Sequence, residues 1–230
     1  MKEVAEVVFL AIKPYSESSL WVSFFSEKHG LQNAIIKGGK RKKIRPMVLG
    51  LYQVILYRWS SSGLQNINSV ERSYQLENTY NSPVKILIAF FVAESIKSFL
   101  SNEVVDRSFF SFIKKSILEL NETAFVKTYP VCFLADLISF SGHAPLNSSG
   151  LKIHNFNIKT GEFNSQEASS SLVDDPTLAL AIHEVFYNNS VLNEGLEPRL
   201  FDVLLEYCNY HLPGYNSKKS IEVIRETLYD

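Results

Sequence analysis

The hydrophobic period of this chain changes once, at Ser82-Pro83. Upstream, short runs alternate with period two, the spacing that gives a strand one buried face. Val4, Glu6, Val8, Leu10 and Ile12 interleave with Ala5, Val7, Phe9 and Ala11. Leu20–Ser26 and Leu31–Lys37 are β-rich and are separated by the turn residues Lys28-His29-Gly30. Val48–Trp59 reads as a long strand, which Ser60-Ser61-Ser62-Gly63 reverses into Leu64–Val70. Five short strands within about 75 residues point to a small closed barrel, because closure removes the unpaired edges of a sheet. Periodicity does not encode the order of the strands.

Downstream the texture is helical. Ser82 offers a cap and Pro83 suits the first helical position, so Val84–Leu100, apolar almost all round, is expected to be a buried helix. Arg107–Leu120 carries Phe109, Ile113, Ile117 and Leu120 at helical spacing. Ala124–Phe140 is a third helical stretch, with a kink or restart expected at Pro130 and a stop at Gly142 and Pro145. Residues 146–175 are polar, and Lys159-Thr160-Gly161-Glu162 predicts a tight turn in a hairpin between Lys152–Ile158 and Glu162–Phe163. Asp175-Pro176 opens another helix by the same cap logic. Arg199–His211 and Ser217–Leu228 are two more, split by Leu212-Pro213-Gly214. The expected class is α+β, with a barrel domain at 1–80 and a helical domain at 81–230 that carries a polar loop or hairpin insertion around 146–175.

Composition matters here for what it excludes. With 46% hydrophobic and 20% charged residues, the chain is a globular one rather than a disordered one. Cys132 and Cys208 are its two cysteines, both in apolar helical patterns, and neither a disulfide framework nor a CxxC metal pair is present. Acidic residues follow Met1-Lys2 where a signal peptide has an apolar run. The apolar run Ile86–Ala93 is far short of the roughly 20 residues that span a bilayer. A reducing, cytoplasmic setting without membrane contact is therefore expected. The net charge of −1 conceals an asymmetry. Residues 1–80 hold 11 Lys+Arg against 6 Asp+Glu, a net +5, while 81–230 hold 12 against 18, a net −6. A basic module attached to an acidic scaffold is implied.

The densest local feature is Lys37-Gly38-Gly39-Lys40-Arg41-Lys42-Lys43-Ile44-Arg45-Pro46, in which six of ten positions are cationic and no carboxylate intervenes. A charge run is ordinarily a solvated loop. Between two barrel strands it becomes a candidate for sequence-independent phosphate contact, by neutralisation and counterion release. Tyr52, Tyr57 and Trp59 are candidate stacking partners for bases. Catalytic patterns are missing. His29, His143, His154, His183 and His211 form no HExxH-type spacing. Ser139-Phe140-Ser141-Gly142 lacks the frame of a nucleophile elbow. Gly38-Gly39-Lys40 does not complete a P-loop, and the basic half contains no aspartate. The chain is not expected to be an enzyme.

Three stretches, in this order and spacing, resemble the RecO family of bacterial recombination mediators. Tyr15-Ser16-Glu17-Ser18-Ser19-Leu20 leads into Phe25-Ser26-Glu27-Lys28-His29-Gly30, similar to the family's Tyr-x-Glu-x-x-Leu and its Thr/Ser-x-x-His-Gly turn. Lys37-Gly38-Gly39-Lys40-Arg41-Lys42-Lys43-Ile44-Arg45 resembles the family's Lys-Gly-Ala-Arg-Arg loop and its trailing basic residues. Leu204-Leu205-Glu206-Tyr207, His211-Leu212 and Lys218-Lys219-Ser220 resemble its closing helix, histidine–leucine step and Lys-Ser pair. Leu137-Ile138-Ser139-Phe140-Ser141-Gly142-His143-Ala144-Pro145 looks like its mid-domain helix end.

The resemblance implies an N-terminal OB-fold barrel followed by an all-helical C-terminal domain. It implies a mediator of DNA repair and homologous recombination, cytoplasmic and nucleoid-associated, that binds single- and double-stranded DNA and anneals complementary strands. The implied partners are RecR, with which the family assists loading of RecA, and the C-terminal tail of single-strand-binding protein. Carried over residue by residue, the DNA contacts are Lys37, Lys40, Arg41, Lys42, Lys43 and Arg45. Many relatives hold zinc with four cysteines in the region corresponding to 146–175. This chain has no cysteine there, and His154 alone cannot supply four ligands, so no cofactor is expected. The alternative is a non-catalytic docking adaptor whose basic loop meets an acidic protein surface.

Overall fold

The structure is a computed structural model that describes residues 2–40, 46–57, 64–100, 106–146, 152–166, 171–188, 195–215 and 218–229. The chain groups into two compact units, Met1–Thr123 and Ala124–Asp230.

The first unit is built on a five-stranded barrel of β1 (Lys2–Pro14), β2 (Leu20–Ser26), β3 (Gly30–Ile36), β4 (Leu51–Tyr57) and β5 (Gln65–Arg72). The strands close in the order β1-β2-β3-β5-β4, the Greek-key closure of an OB-fold. The length of β1 is what makes closure possible. Its first half pairs with β4, Val4 opposite Ile55, and its second half pairs with β2, Lys13 opposite Trp21. A register shift between Phe9 and Ala11 lets the strand turn from one partner to the other. On the far side, Ala34–Ile36 of β3 run parallel to Gln65–Ile67 of β5.

The period-two pattern becomes the barrel core. Val7, Phe9, Val22, Phe24, Ala34, Ile36, Val54, Leu56 and Ile67 all point inward and are buried. Each large apolar side chain withdrawn from water in this way contributes about 1.5–3 kcal/mol before entropy is counted. Tyr52, a candidate base-stacking residue from the sequence, is one of these core residues. It is fully buried and stacks on Phe9 with ring centroids 4.7 Å apart, and its hydroxyl accepts the Met47 N–H at 2.8 Å. It shares strand parity with Val54 and Leu56, which fixes it inside. The strand expected at Val48–Trp59 begins only at Leu51, because Leu49 adopts φ 60° and donates its N–H to the Phe9 carbonyl at 2.7 Å. Residues 58 and 59 lie outside the described residues.

Three helices complete this unit: α1 (Glu77–Tyr80), α2 (Pro83–Phe99) and α3 (Arg107–Glu122). Ser82 is the cap read from the sequence, and Asp106 is a second that the structure adds. Ser82 Oγ accepts the Lys85 N–H, and Asp106 Oδ1 accepts those of Ser108 and Phe109. Inside, Asn121 joins all three helices. Its side-chain oxygen accepts from Thr79 N–H at 3.1 Å, and its backbone carbonyl accepts the buried Lys85 ammonium at 2.7 Å.

The second unit holds α4 (Tyr129–Phe140), α5 (Pro176–Tyr187), α6 (Glu197–His211) and α7 (Lys218–Ile224), which continues into a π-helical turn at Arg225–Tyr229. The helical stretch read from Ala124 starts at Tyr129, with Pro130 in its first turn where a missing N–H costs nothing. The hairpin expected around 159–163 is present as β6 (Phe156–Asn157) and β7 (Glu162–Phe163), and β8 (Leu172–Val173) adds a third strand. Asn157 organises the turn, its Oδ1 accepting the N–H groups of Lys159 and Thr160. Gly161 (φ 74°) lies so close to Tyr207 that a Cβ would sit 2.7 Å from its hydroxyl. Phe156 stacks on Tyr207, Tyr207 on His211, and His211 Nε2 meets the Ile158 carbonyl at 2.9 Å. Hydrogen bonds and aromatic packing thus hold residues 156–158 and the Gly161 turn to α6. The donor set of residues 152–173 does not suit structural zinc, since it contains no thiol. The Cys208 thiol is buried on α6 and pushed up to about 12 by that burial.

Candidate nucleic-acid interface

One end of the barrel carries Lys37 and Lys40, the described members of the basic run that the sequence singled out. Strand β3 ends at Ile36, and Lys37–Lys40 form a turn closed by Gly39 N–H to the Ile36 carbonyl at 3.2 Å. Gly38 takes φ 66° into open space, while Gly39 packs where an added Cβ would stand 3.1 Å from both Ile36 and Leu20 side chains. The glycine pair therefore lets the loop leave the barrel close to its surface. Lys40 is fastened to the β1–β2 turn: its N–H reaches the Ser18 carbonyl at 3.1 Å and its ammonium the Ser16 carbonyl at 2.7 Å. Lys37 and Lys40 are both exposed. The basic loop thus departs from beside the β1–β2 turn with its first two cations turned to solvent. Arg41, Lys42, Lys43 and Arg45 lie outside the described residues, as does Trp59. For Tyr57 only the backbone is described.

Two further cations stand at this end. Lys13, at the close of β1, lies 5.7 Å from the centre of the Trp21 ring, and Lys97, in the last turn of α2, lies 5.8 Å from the same ring. Trp21 points outward from β2, since its neighbours Leu20 and Val22 point in. Burial, and then the Lys13 charge, hold the Lys97 ammonium below its ordinary value. Among the described residues, neither lysine is ion-paired. Sequence reading missed this group because its members are joined by strand register and a helix end, not by spacing. The available signal was Trp21 itself, a large aromatic at an outward position of a barrel strand.

Cations at the opposite end are treated differently. Around the β2–β3 turn, Lys28 and His29 both meet Glu3, at 3.7 and 3.2 Å. Arg107 meets Glu27 at 3.6 Å, and Lys114 meets Glu6 at 3.1 Å. Lys114 also sits 4.8 Å from the Tyr74 ring. Burial is the largest single influence on Lys114 and lowers its pKa. Hydrogen bonds to Tyr74 and Glu6, with the Glu6 charge, together raise it above the ordinary value.

A closed five-stranded barrel of OB topology, with helices following in the chain and with lysines at the β1–β2 end that have no carboxylate partner among the described residues, defines an OB-fold protein with a basic end. Residues 1–75 match the family described as "Recombination protein O N terminal". Over 96% of its length the chain is similar to 96% of the DNA repair protein RecO of Flavobacterium psychrophilum, at 24% identity. The DNA repair protein RecO of Christiangramia forsetii is 21% identical over the same shares. That of Azobacteroides pseudotrichonymphae is 26% identical over 70% of each chain. In its barrel, and at low identity from end to end, the chain is similar to the RecO family.

Proposed function

We propose that this chain is a DNA repair and recombination mediator that works by binding rather than by catalysis. The observation that carries the reading is the segregation of charge on the barrel. At the β1–β2 end Lys13, Lys37, Lys40 and Lys97 carry no carboxylate partner among the described residues, whereas at the opposite end Lys28, Arg107 and Lys114 each meet a glutamate. Unpaired surface ammonium groups beside a loop with four further cations attract a polyanion. In this reading Lys37, Lys40, Arg41, Lys42, Lys43 and Arg45 contact phosphates of single- or double-stranded DNA without reading sequence. Annealing then needs no active site. Cations screen the repulsion between two strands while bases stay free to pair.

The helical part docks partners: RecR, for loading of RecA, and the C-terminal tail of single-strand-binding protein. A cleft of about 680 Å³ in the second unit, lined by Phe125, Lys127, Glu197, Pro198, Leu228 and Tyr229, supports a docking role, since its apolar residues could receive an apolar peptide end. No described helix is long and apolar enough to cross a membrane, and the site of action in this reading is the bacterial cytoplasm, at the nucleoid.

Fluorescence anisotropy of a labelled single-stranded oligonucleotide at several salt concentrations tests the central claim. With about four to six phosphates neutralised, log K against log salt falls with a slope of about −3 to −4. A salt-independent affinity, or none, removes the reading. It would leave a docking adaptor whose loop binds an acidic protein surface.

A further inference from the structure

We infer that Trp21, flanked by Lys13 and Lys97, is a stacking site for one unpaired base and its phosphates, which makes this barrel favour single strands over duplex. The inference rests on the DNA-binding reading above and adds to it a site outside the basic loop and a basis for strand selectivity.

Strand register places the site. Lys13 of β1 pairs with Trp21 of β2, Trp21 with Ile35 of β3, and Ile35 with Asn66 of β5. Their side chains alternate with the core residues Val22, Ala34, Ile36 and Ile67, so all four face outward in one row across the barrel. Strands are spaced about 4.8 Å, so the row from Trp21 to Asn66 spans roughly 10 Å, room for about one or two bases laid flat. Trp21, Ile35 and Asn66 are each half-buried and Lys13 is exposed. The basic turn begins at Lys37, two residues beyond Ile35, so a strand held by the loop passes directly onto this row.

The same barrel supplies the control. At the opposite end Lys114 also lies against an aromatic ring, Tyr74, but Glu6 stands 3.1 Å from its ammonium and completes a neutral cluster. At Trp21 two ammonium groups converge on one ring with no carboxylate among the described residues. Two like charges gathered around an indole are a liability in the free protein, and the Lys13 charge adds to burial, the larger cause, in lowering the Lys97 pKa. A nucleotide relieves that liability in both of its parts. The base takes the indole face, a contact worth about 1–3 kcal/mol per base, and the two exposed lysine ends swing onto the adjoining phosphates. In a duplex the base faces are already stacked, so only the phosphate contribution remains.

The test uses the full-length protein carrying Trp59→Phe, which leaves Trp21 as its one tryptophan. Its emission is titrated with oligothymidylate and, separately, with a blunt duplex. Quenching by the single strand, with little or none by the duplex at equal occupancy measured by anisotropy, is the expected result. In the native background Trp21→Ala weakens single-strand binding roughly 5–100-fold and duplex binding by about twofold at most. Trp21→Phe retains most of the affinity. Lys13→Ala and Lys97→Ala each reduce the salt slope by about 0.7. Circular dichroism checks that Trp21→Ala folds; should it not, the emission titration and Trp21→Phe decide alone. Single-strand binding with unchanged Trp21 emission overturns this site and leaves the phosphate-binding loop standing. Equal quenching by both ligands overturns the selectivity. No DNA binding of either kind overturns the site together with the reading beneath it.

Discussion

The two ends of the barrel carry similar side chains and use them for opposite purposes. At the β2–β3 end, lysine, histidine and arginine meet glutamates from β1 and from the β2–β3 turn: Glu3, Glu6 and Glu27. Those pairs tie strand to strand and barrel to α3. At the β1–β2 end, Lys13, Lys37, Lys40 and Lys97 have no such partner among the described residues, and Lys97 is held below its ordinary value by burial and then by the Lys13 charge. Cation count alone does not separate the ends. What separates them is where β1 places its glutamates, since Glu3 and Glu6 fall in the half of the strand that pairs with β4. A long strand serving two partners lets one end be stable and the other be sticky.

The largest effect expected from breaking this contrast is removal of the run itself. Replacing Lys37, Lys40, Arg41, Lys42, Lys43 and Arg45 with alanine abolishes up to six phosphate contacts. That lowers single-strand affinity by about 100-fold or more at low salt and flattens the salt slope by about 4. The thermal midpoint stays close to that of the native protein, because Lys37 and Lys40 are exposed. Unchanged affinity in the six-alanine protein would show that the unpaired end is not the DNA-binding end.

A smaller effect sharpens the comparison from the other side. If ion pairing is what silences the β2–β3 end, then Glu3→Gln, Glu6→Gln and Glu27→Gln together remove the carboxylates that face Lys28, Arg107 and Lys114. DNA affinity measured by anisotropy then rises about 2–5-fold and the salt slope steepens by about 1–2. Denaturant unfolding shows a less stable barrel. An unaltered slope would mean that geometry, not charge cancellation, excludes DNA from that end.

How much of this was legible in the sequence differs element by element. The caps at Ser82 and Asp175 each precede a proline, a local signal, and they located α2 and α5. β2 matches its expected span, since its alternation is uninterrupted. The two-residue strand β8 was not foreseen, because two residues carry no period. Tyr52 was read by residue type when its parity with Val54 and Leu56 already placed it inside. The basic run was visible because it is contiguous. The Trp21 group was not, because Lys13, Trp21 and Lys97 meet through a cross-strand pair and the end of a helix 76 residues beyond Trp21.

Below these effects lies the stability of a single pair. Lys114→Met removes the ammonium that bridges α3 to Glu6 and Tyr74, a cluster in which Lys114 and Glu6 side chains are each 29% exposed. About 1 kcal/mol of unfolding free energy is expected to be lost, in the range for a partly buried charge-assisted hydrogen bond. Oligonucleotide affinity should not change. A Lys114→Met protein that bound DNA more weakly would place α3 in the interface and contradict the division of labour between the ends.

The smallest effect is also the most direct comparison, because the two ends shift a lysine in opposite directions. Lys114 is raised above 10.5, so it contributes stability that is present below the unfolded value and is lost as pH rises through its folded value. Lys97 is lowered below 10.5 by burial and by Lys13. Its penalty is present while it is charged, and it is relieved as pH climbs from its folded value toward 10.5. Amine acylation followed by mass spectrometry across an alkaline series reads both, through the midpoint of each lysine's pH profile rather than its absolute rate. Lys97 is expected to become reactive at lower pH than Lys114. Saturating oligothymidylate should then move the Lys97 midpoint upward and leave that of Lys114 in place, because a phosphate beside Lys97 stabilises its charged form as Glu6 already does for Lys114. A Lys97 midpoint that does not move on binding would mean that the strand passes the basic loop without reaching the end of α2.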